Sequence, residues 1–178
     1  MAEVFTNALK KSAGIVTTSS AATIGANATT ITGISTIGVN VGDIVDNQHF
    51  RGSCKVTSIN SPTQVTVDST STNTANAAVQ TVRFLGPTTA YSSPSGTKSI
   101  LIGGTFSNLT NSSVNIIIEV SSGSTATSIA NGIPVPYGSS FVISDAGKTI
   151  LLPNDVIKIY CDTENAIDAT LGILQGVN

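Results

Sequence analysis

Residues 133–162 read IPVPYGSSFVISDAGKTILLPNDVIKIYCD, and this stretch decides the fold class. Ile157 and Ile159 share one parity along the chain, and Lys158 and Tyr160 share the other. A period of two is typical of strands with one face in a core and one toward solvent. Pro, Gly, Asn and Asp form turns between the runs. The stretch therefore predicts an antiparallel β domain, with Ile157 and Ile159 buried and Tyr160 facing outward toward a partner.

The same pattern continues through the second half of the chain. Short apolar runs bounded by turns predict strands at residues 98–106, 114–120, 126–129, 140–144, 149–152, 156–161 and 169–174. Ile116, Ile117 and Ile118 in the second run predict a strand centre that is buried on both faces. Seven to eight short strands without an intervening helical pattern indicate a β-sandwich, not a parallel α/β sheet.

The first half predicts a separate, smaller β module at residues 13–86. Its best patterned part, residues 39–68, reads as short strands with a hairpin turn at residues 60–63. Residues 87–97 hold prolines, glycines and many hydroxyls and predict a linker before an Ig-like sandwich at residues 98–178. The predicted fold class is all-β: a barrel-like or meandering N-terminal module followed by a C-terminal antiparallel β-sandwich.

Residues 1–12 are predicted to form an arm outside both domains. Val4, Phe5, Ala8 and Leu9 have a faint helical spacing, but the segment is too short for a stable isolated helix. An arm of this kind docks on a neighbouring surface through its apolar side chains. The predicted partner-binding residues of the chain are Val4, Phe5, Leu9, Tyr137 and Tyr160.

Composition limits the classes of partner. Only 10% of the 178 residues are charged, and the formal net charge is -2. Scattered basic residues in an acidic chain argue against nucleic acid, which needs clustered Lys and Arg. No signal peptide or membrane span is predicted, which favours a reducing cytosol, and Cys54 and Cys161 are predicted to be buried free thiols. A surface rich in Ser, Thr and Asn tolerates close contact with copies of itself.

The sequence predicts no catalytic residue, cofactor or metal site. The single histidine, His49, follows Asp43 and Asp46, but this spacing brings the three side chains to no common face. Residues 162–168 collect oxygen ligands that Ca²⁺ accepts, yet a polar turn whose side chains cap backbone groups accounts for them. The expected protein is therefore not an enzyme.

Several segments resemble phage structural proteins. KSILIGGTFSNLTNSSVNIIIEV (residues 98–120), PYGSS (residues 136–140) and LPND (residues 152–155) are similar to the turns and strands of small β-sandwich domains in tailed-bacteriophage virion proteins. VNVGDIVDN (residues 39–47) and FRGSCKVTSINSPTQVTVD (residues 50–68) resemble, more weakly, a short β module of such proteins. The chain thus looks like an accessory virion protein of a cyanophage-like tailed phage.

This resemblance implies a function. The chain would decorate the head, or form part of the neck or tail, through symmetric multi-copy β contacts with itself and with other virion proteins, after assembly in the host cytoplasm. An alternative is a receptor- or carbohydrate-binding module of a tail fibre. That alternative requires an exposed aromatic platform with Tyr91 and Tyr137 together, although aromatic residues make up only 4% of the chain.

Overall fold

The computed structural model describes residues 3–75, 77–144 and 148–177, and their regular structure is all strand, as predicted. The strands are β1 (Val4–Ala13), β2 (Ile15–Ile24), β3 (Thr30–Thr32), β4 (Ile44–Asp46), β5 (Val56–Ser61), β6 (Gln64–Val67), β7 (Ala77–Gly86), β8 (Thr88–Ser92), β9 (Lys98–Asn108), β10 (Val114–Ser122), β11 (Thr125–Val135), β12 (Ser140–Ile143), β13 (Thr149–Leu151), β14 (Val156–Cys161) and β15 (Ile167–Val177). Two compact units form: a sandwich unit (Met1–Gly14 with Thr88–Asn178) and a barrel unit (Ile15–Pro87).

The sandwich unit packs two antiparallel sheets around one core. Sheet I has the strand order β1-β15-β9-β12, with β13 also paired to β9, and sheet II has the order β11-β10-β14-β8. Inward side chains of both sheets are fully buried: Leu101, Phe106, Leu171 and Ile173 from sheet I, and Ile116, Ile118, Ile157 and Ile159 from sheet II. The predicted burial of the Ile157 and Ile159 face is confirmed. Each such side chain contributes roughly 1.5–3 kcal/mol through removal from water.

The barrel unit is a single sheet that closes on itself. Its strand order is β4-β7-β2-β3-β6-β5. The two outer strands meet, because the Gly42 amide donates to the Val56 carbonyl at 2.8 Å and the Val45 amide donates to the Cys54 carbonyl at 2.8 Å. Closure satisfies the backbone groups of strands that would otherwise be edges. Of the two predicted forms, barrel-like or meander, the structure has the barrel.

The predicted arm at residues 1–12 is wrong. Val4–Ala13 is an antiparallel strand at the border of sheet I, with eight residues in register with β15, for example Phe5 opposite Leu174. Ala8 packs against the sandwich core and Ala13 is buried in it. A short segment gains a ladder of backbone bonds in this way, whereas it would be a marginal helix alone. Met1 and Ala2 lie outside the described residues.

The predicted linker at residues 87–97 is also largely structured. Thr88–Ser92 forms β8, which pairs with β14. The Tyr91 hydroxyl lies 2.8 Å from Ser99 Oγ and accepts a 3.0 Å hydrogen bond from Gln175 Nε2. Hydroxyl-rich composition suggested a solvated linker, but these hydroxyls satisfy one another inside the sandwich.

Candidate interaction surface

Sheet I carries a row of apolar side chains across four strands on its outward side. Residues directly opposite each other on paired strands point to the same face of a sheet. Phe5 lies opposite Leu174, Leu174 opposite Ile100, and Ile100 opposite Ile150. Phe5 and Ile150, at the two ends of this first row, are 75% and 63% exposed. The row is therefore an apolar ridge that the sandwich core does not use.

A second row runs parallel to the first. Leu9 lies opposite Thr170, Thr170 opposite Thr105, and Thr105 opposite Val142. Leu9 is 73% and Val142 is 57% exposed. Apolar ends and threonine centres make this row uncharged as well.

Small residues lie between the two rows. Asn7 is opposite Gly172, and Gly172 is opposite Gly103. Phe5, Thr6, Asn7, Gly172 and Ile173 line a shallow groove of about 410 Å³ there. A Cβ at Gly172 would meet only the Gly103 carbonyl oxygen at 3.8 Å, so glycine leaves the floor of the groove open. The groove is open along the sheet, unlike the concave clefts that usually hold small molecules.

We call these two rows and the residues between them the outer face. None of its members is charged: Phe5, Asn7, Leu9, Ile100, Gly103, Thr105, Val142, Ile150, Thr170, Gly172 and Leu174. An exposed surface with apolar rows and no charge is a candidate contact site. The structure thus places two of the five predicted partner residues, Phe5 and Leu9, on one surface. The sequence signal for it is a break in alternation, since Ile100 adjoins the buried Leu101 and Leu174 adjoins the buried Ile173, but the pairing of the strands is not readable from the sequence.

The other predicted partner residues do not join them. Val4 is 52% exposed at the start of β1, and Tyr137 is 70% exposed in the turn between β11 and β12. The prediction that Tyr160 faces solvent is wrong, because only 1% of Tyr160 is exposed. Its register partner on β10 is Ile117, which is 7% exposed. The centre of β10 is buried on both faces, as predicted, and the strand beside it shares that second buried face.

The carbohydrate platform also fails to form. Tyr91 is 8% exposed and its hydroxyl is bonded inside the sandwich, whereas Tyr137 lies in a solvated turn. A stacking platform needs aromatic faces that are exposed side by side. These two tyrosines do not provide one.

Among the described residues, the acidic side chains and His49 do not gather at a common point. Within residues 3–75, 77–144 and 148–177, no group of three His, Cys, Asp or Glu side chains is placed to hold a metal ion. Asp46 forms an ion pair with Arg83, and His49 lies in a loop where its amide donates to Asn47 Oδ1 at 2.9 Å. Asp162 Oδ1 accepts a 3.0 Å hydrogen bond from the backbone amide of Asn115, so the predicted capping turn is confirmed.

Both cysteines are free and buried, as predicted. Burial is the main cause that raises the pKa of the Cys54 thiol to about 11, with the nearby Asp68 charge acting in the same direction. A thiol in this state is a poor nucleophile at neutral pH.

Asp43 is a buried carboxyl group at the closure of the barrel. It is 2% exposed, its Oδ2 accepts the Asn40 amide at 2.8 Å, and its Oδ1 has no hydrogen-bond partner among the described residues. Burial raises the pKa of Asp43 above the usual 3.8, against a smaller lowering by the Asn40 amide. As pH rises, the unfolded chain therefore ionises first. The stability from this group is complete below about pH 3.8 and is lost as pH rises through the raised pKa.

Asp43→Asn is expected to remove the loss of stability that the parent shows as pH rises through the pKa of Asp43. The free energy of unfolding of this variant, relative to the parent, should increase between pH 3 and pH 7, because the parent alone loses stability as Asp43 ionises in its buried site. Urea denaturation of both proteins at several pH values measures the difference, in which the other titrating groups cancel. A difference that stays constant with pH would contradict the role given to Asp43.

Comparison with protein-family models, with curated proteins and with solved structures finds no significant match to this chain. In the described part of the chain, no helix has the length and apolar character needed to cross a membrane.

Proposed function

We propose that the chain is a non-enzymatic structural protein of a tailed-phage particle. It decorates the head, or forms part of the neck or tail, and holds its place through symmetric β contacts between many copies and with other virion proteins. The segments that resemble virion β-sandwich domains support the phage context. The low content of charged residues supports repeated close contact between surfaces, since packed symmetric interfaces leave charges poorly solvated.

The uncharged outer face of sheet I carries this proposal. Phe5, Leu9, Val142 and Ile150 are all exposed there. A protein that acts alone gains nothing from such a face and risks aggregation. A protein that is assembled in many copies has a use for it, because the apolar centre of an interface supplies most of its affinity.

Paired substitution on the outer face tests the proposal. Val142→Asp with Ile150→Asp places charges at the apolar positions of β12 and β13, and we expect about tenfold less chain in purified particles. Both residues are exposed, so the thermal midpoint should stay close to that of the parent. Labelling of intact particles and quantitative mass spectrometry give the copy number.

Ile37→Asp is the matched control. Ile37 is 85% exposed in the barrel unit and is not part of the outer face, so this variant should enter particles at the parent level. A parent chain that is strictly monomeric by light scattering and absent from purified particles would overturn the proposed function. If the parent, the double variant and the Ile37→Asp control enter particles at equal levels, the outer face does not hold the chain in the particle.

A further inference from the structure

We propose that β1 pairs antiparallel with β1 of a second copy of this chain, across a two-fold axis at Asn7. β1 is the outermost strand of sheet I, and among the described strands it pairs with β15 alone. An edge strand offers a row of backbone donors and acceptors, and natural proteins usually blunt it with charges, proline or a bulge. Residues 4–9, VFTNAL, contain no charge and no proline, and the irregularity in β1 comes only after Lys10.

Geometry restricts the register of such a pair. Backbone groups along β1 alternate between pointing at β15 and pointing at the free edge. Two copies bond only if residues with the same alternation face each other, which places the two-fold axis on a residue and not between residues. The choice is then among the residues near the middle of the strand.

Side chains select Asn7 as the centre. Phe5 then lies opposite Leu9 of the second copy, Asn7 lies opposite itself, and Glu3 lies opposite Lys11 of the second copy. All five residues share the parity of Phe5 and are exposed. The two large exposed apolar side chains of this parity therefore cover each other, and opposite charges meet at both ends.

The neighbouring registers lose these matches. Centring the axis on Thr6 puts Glu3 opposite Leu9, and centring it on Ala8 puts Phe5 opposite Lys11. Each of these sets a charge against a large apolar side chain, which is unfavourable on both sides. The pattern Glu-Phe-Asn-Leu-Lys at alternate positions is thus complementary to its own antiparallel copy.

Pairing of this kind closes after two copies, because the same surface is used on both sides. Sheet I becomes continuous through both molecules, and the Phe5 row of one copy meets the Leu9 row of the other. This inference deepens the proposed function and rests on it for the use of paired copies in a particle. The tests below use the isolated full chain, so the pairing and the particle role fail separately.

Cross-linking at the axis tests the register. Facing residues of an antiparallel pair have Cα atoms about 4.5–5.5 Å apart, within the range of a disulfide. Asn7→Cys is expected to give at least tenfold more disulfide-linked dimer on mild oxidation than the control Lys11→Cys. The two Lys11 positions would lie about 26 Å apart along the strands. The native Cys54 and Cys161 are buried, so they do not compete in the folded chain.

The outcomes separate clearly. Absence of an Asn7→Cys dimer, or equal cross-linking of both variants, overturns the pairing. A chain that cross-links at Asn7→Cys but is absent from purified particles keeps the pairing and overturns the proposed function. A chain that is present in particles but does not cross-link at Asn7→Cys overturns the pairing and keeps the proposed function.

Charge reversal provides a second, independent test. Glu3→Lys and Lys11→Glu each turn both end contacts into like-charge pairs, and we expect about tenfold weaker dimerisation at low ionic strength. Mixed together, the two variants should form a heterodimer with the affinity of the parent, because each end contact then joins one lysine to one glutamate. Sedimentation measures the two single variants and their mixture. Unchanged affinity of the single variants, or no recovery on mixing, overturns the register.

Discussion

Gly14→Ala is expected to lower the free energy of unfolding by about 3 kcal/mol or more. Gly14 joins β1 to β2 with a φ of +129°, a conformation that residues with a side chain rarely adopt. A Cβ there would overlap the carbonyl oxygen of Thr163, and because this is backbone, no side-chain rotation relieves the clash. The Gly14 carbonyl also accepts the Asn165 amide at 3.1 Å, so displacement breaks a bond of the β14–β15 turn. Chemical denaturation measures the loss.

Gly96→Ala is the matched control for Gly14→Ala. Gly96 has no positive φ, and an added Cβ would meet no atom within 4 Å. Its free energy of unfolding should stay within about 0.5 kcal/mol of the parent. If Gly14→Ala also falls within that margin, the close approach of Thr163 does not constrain the fold.

Removal of residues 2–11 is expected to destabilise the sandwich unit by at least about 3 kcal/mol. The deletion removes most of the register partners of β15, uncovers the core beside Ala8, and turns β15 into a bare edge. An arm would leave the domain intact when deleted, but a strand of the sheet does not. Denaturation measures the stability, and hydrogen exchange at Leu171 and Ile173 shows whether β15 loses protection first.

The double variant Phe5→Thr with Leu9→Thr distinguishes the contribution of the β1 backbone to stability from that of its exposed side chains. Phe5 and Leu9 are both exposed, and threonine keeps a high preference for strands. This double variant should change the free energy of unfolding by less than about 1 kcal/mol. A truncated chain as stable as the double variant would contradict the place of β1 in sheet I.

The strands of the second half were predictable because the alternation of apolar and polar residues is clear there. Val156–Cys161 alternates cleanly, since one of its faces packs in the core with Ile157 and Ile159. Turn residues bound most runs, so the positions of β9, β10 and β12 to β15 follow from the sequence within a few residues, whereas β11 continues to Val135, six residues past the predicted run. The predicted hairpin at residues 60–63 is likewise found, where β5 meets β6.

β1 was missed because its apolar residues serve two faces. Ala8 packs on the core, while Phe5 and Leu9 lie on the outer face. Apolar residues at adjacent positions, repeated four residues later, imitate a helix and hide the period of two. Only the pairing with Leu174 and Thr170, far along the chain, resolves the ambiguity.

The candidate site was predictable only in part. Phe5 and Leu9 were predicted as partner contacts and lie together on the outer face, but a single strand does not reveal which strands complete that face. The prediction for Tyr160 was wrong because alternation was taken to mean that one face of the strand is exposed to solvent. The apolar Ile117, its partner in register, was the sequence signal that the second face is also buried.

Because the barrel unit is inserted in the sequence between β1 and β8, it can fold during synthesis before β1 pairs with β15. β2 to β7 find all their pairing partners within Ile15–Pro87, whereas β1 pairs only with β15 at the far end of the sandwich unit. Synthesis at about 5–20 residues per second delays β15 behind β1 by roughly 10–30 s. The barrel has the time to close while β1 still lacks its partner. During that interval the nascent chain carries VFTNAL as an unsatisfied strand, so the yield of correctly folded protein depends on what shields β1 until β15 leaves the ribosome.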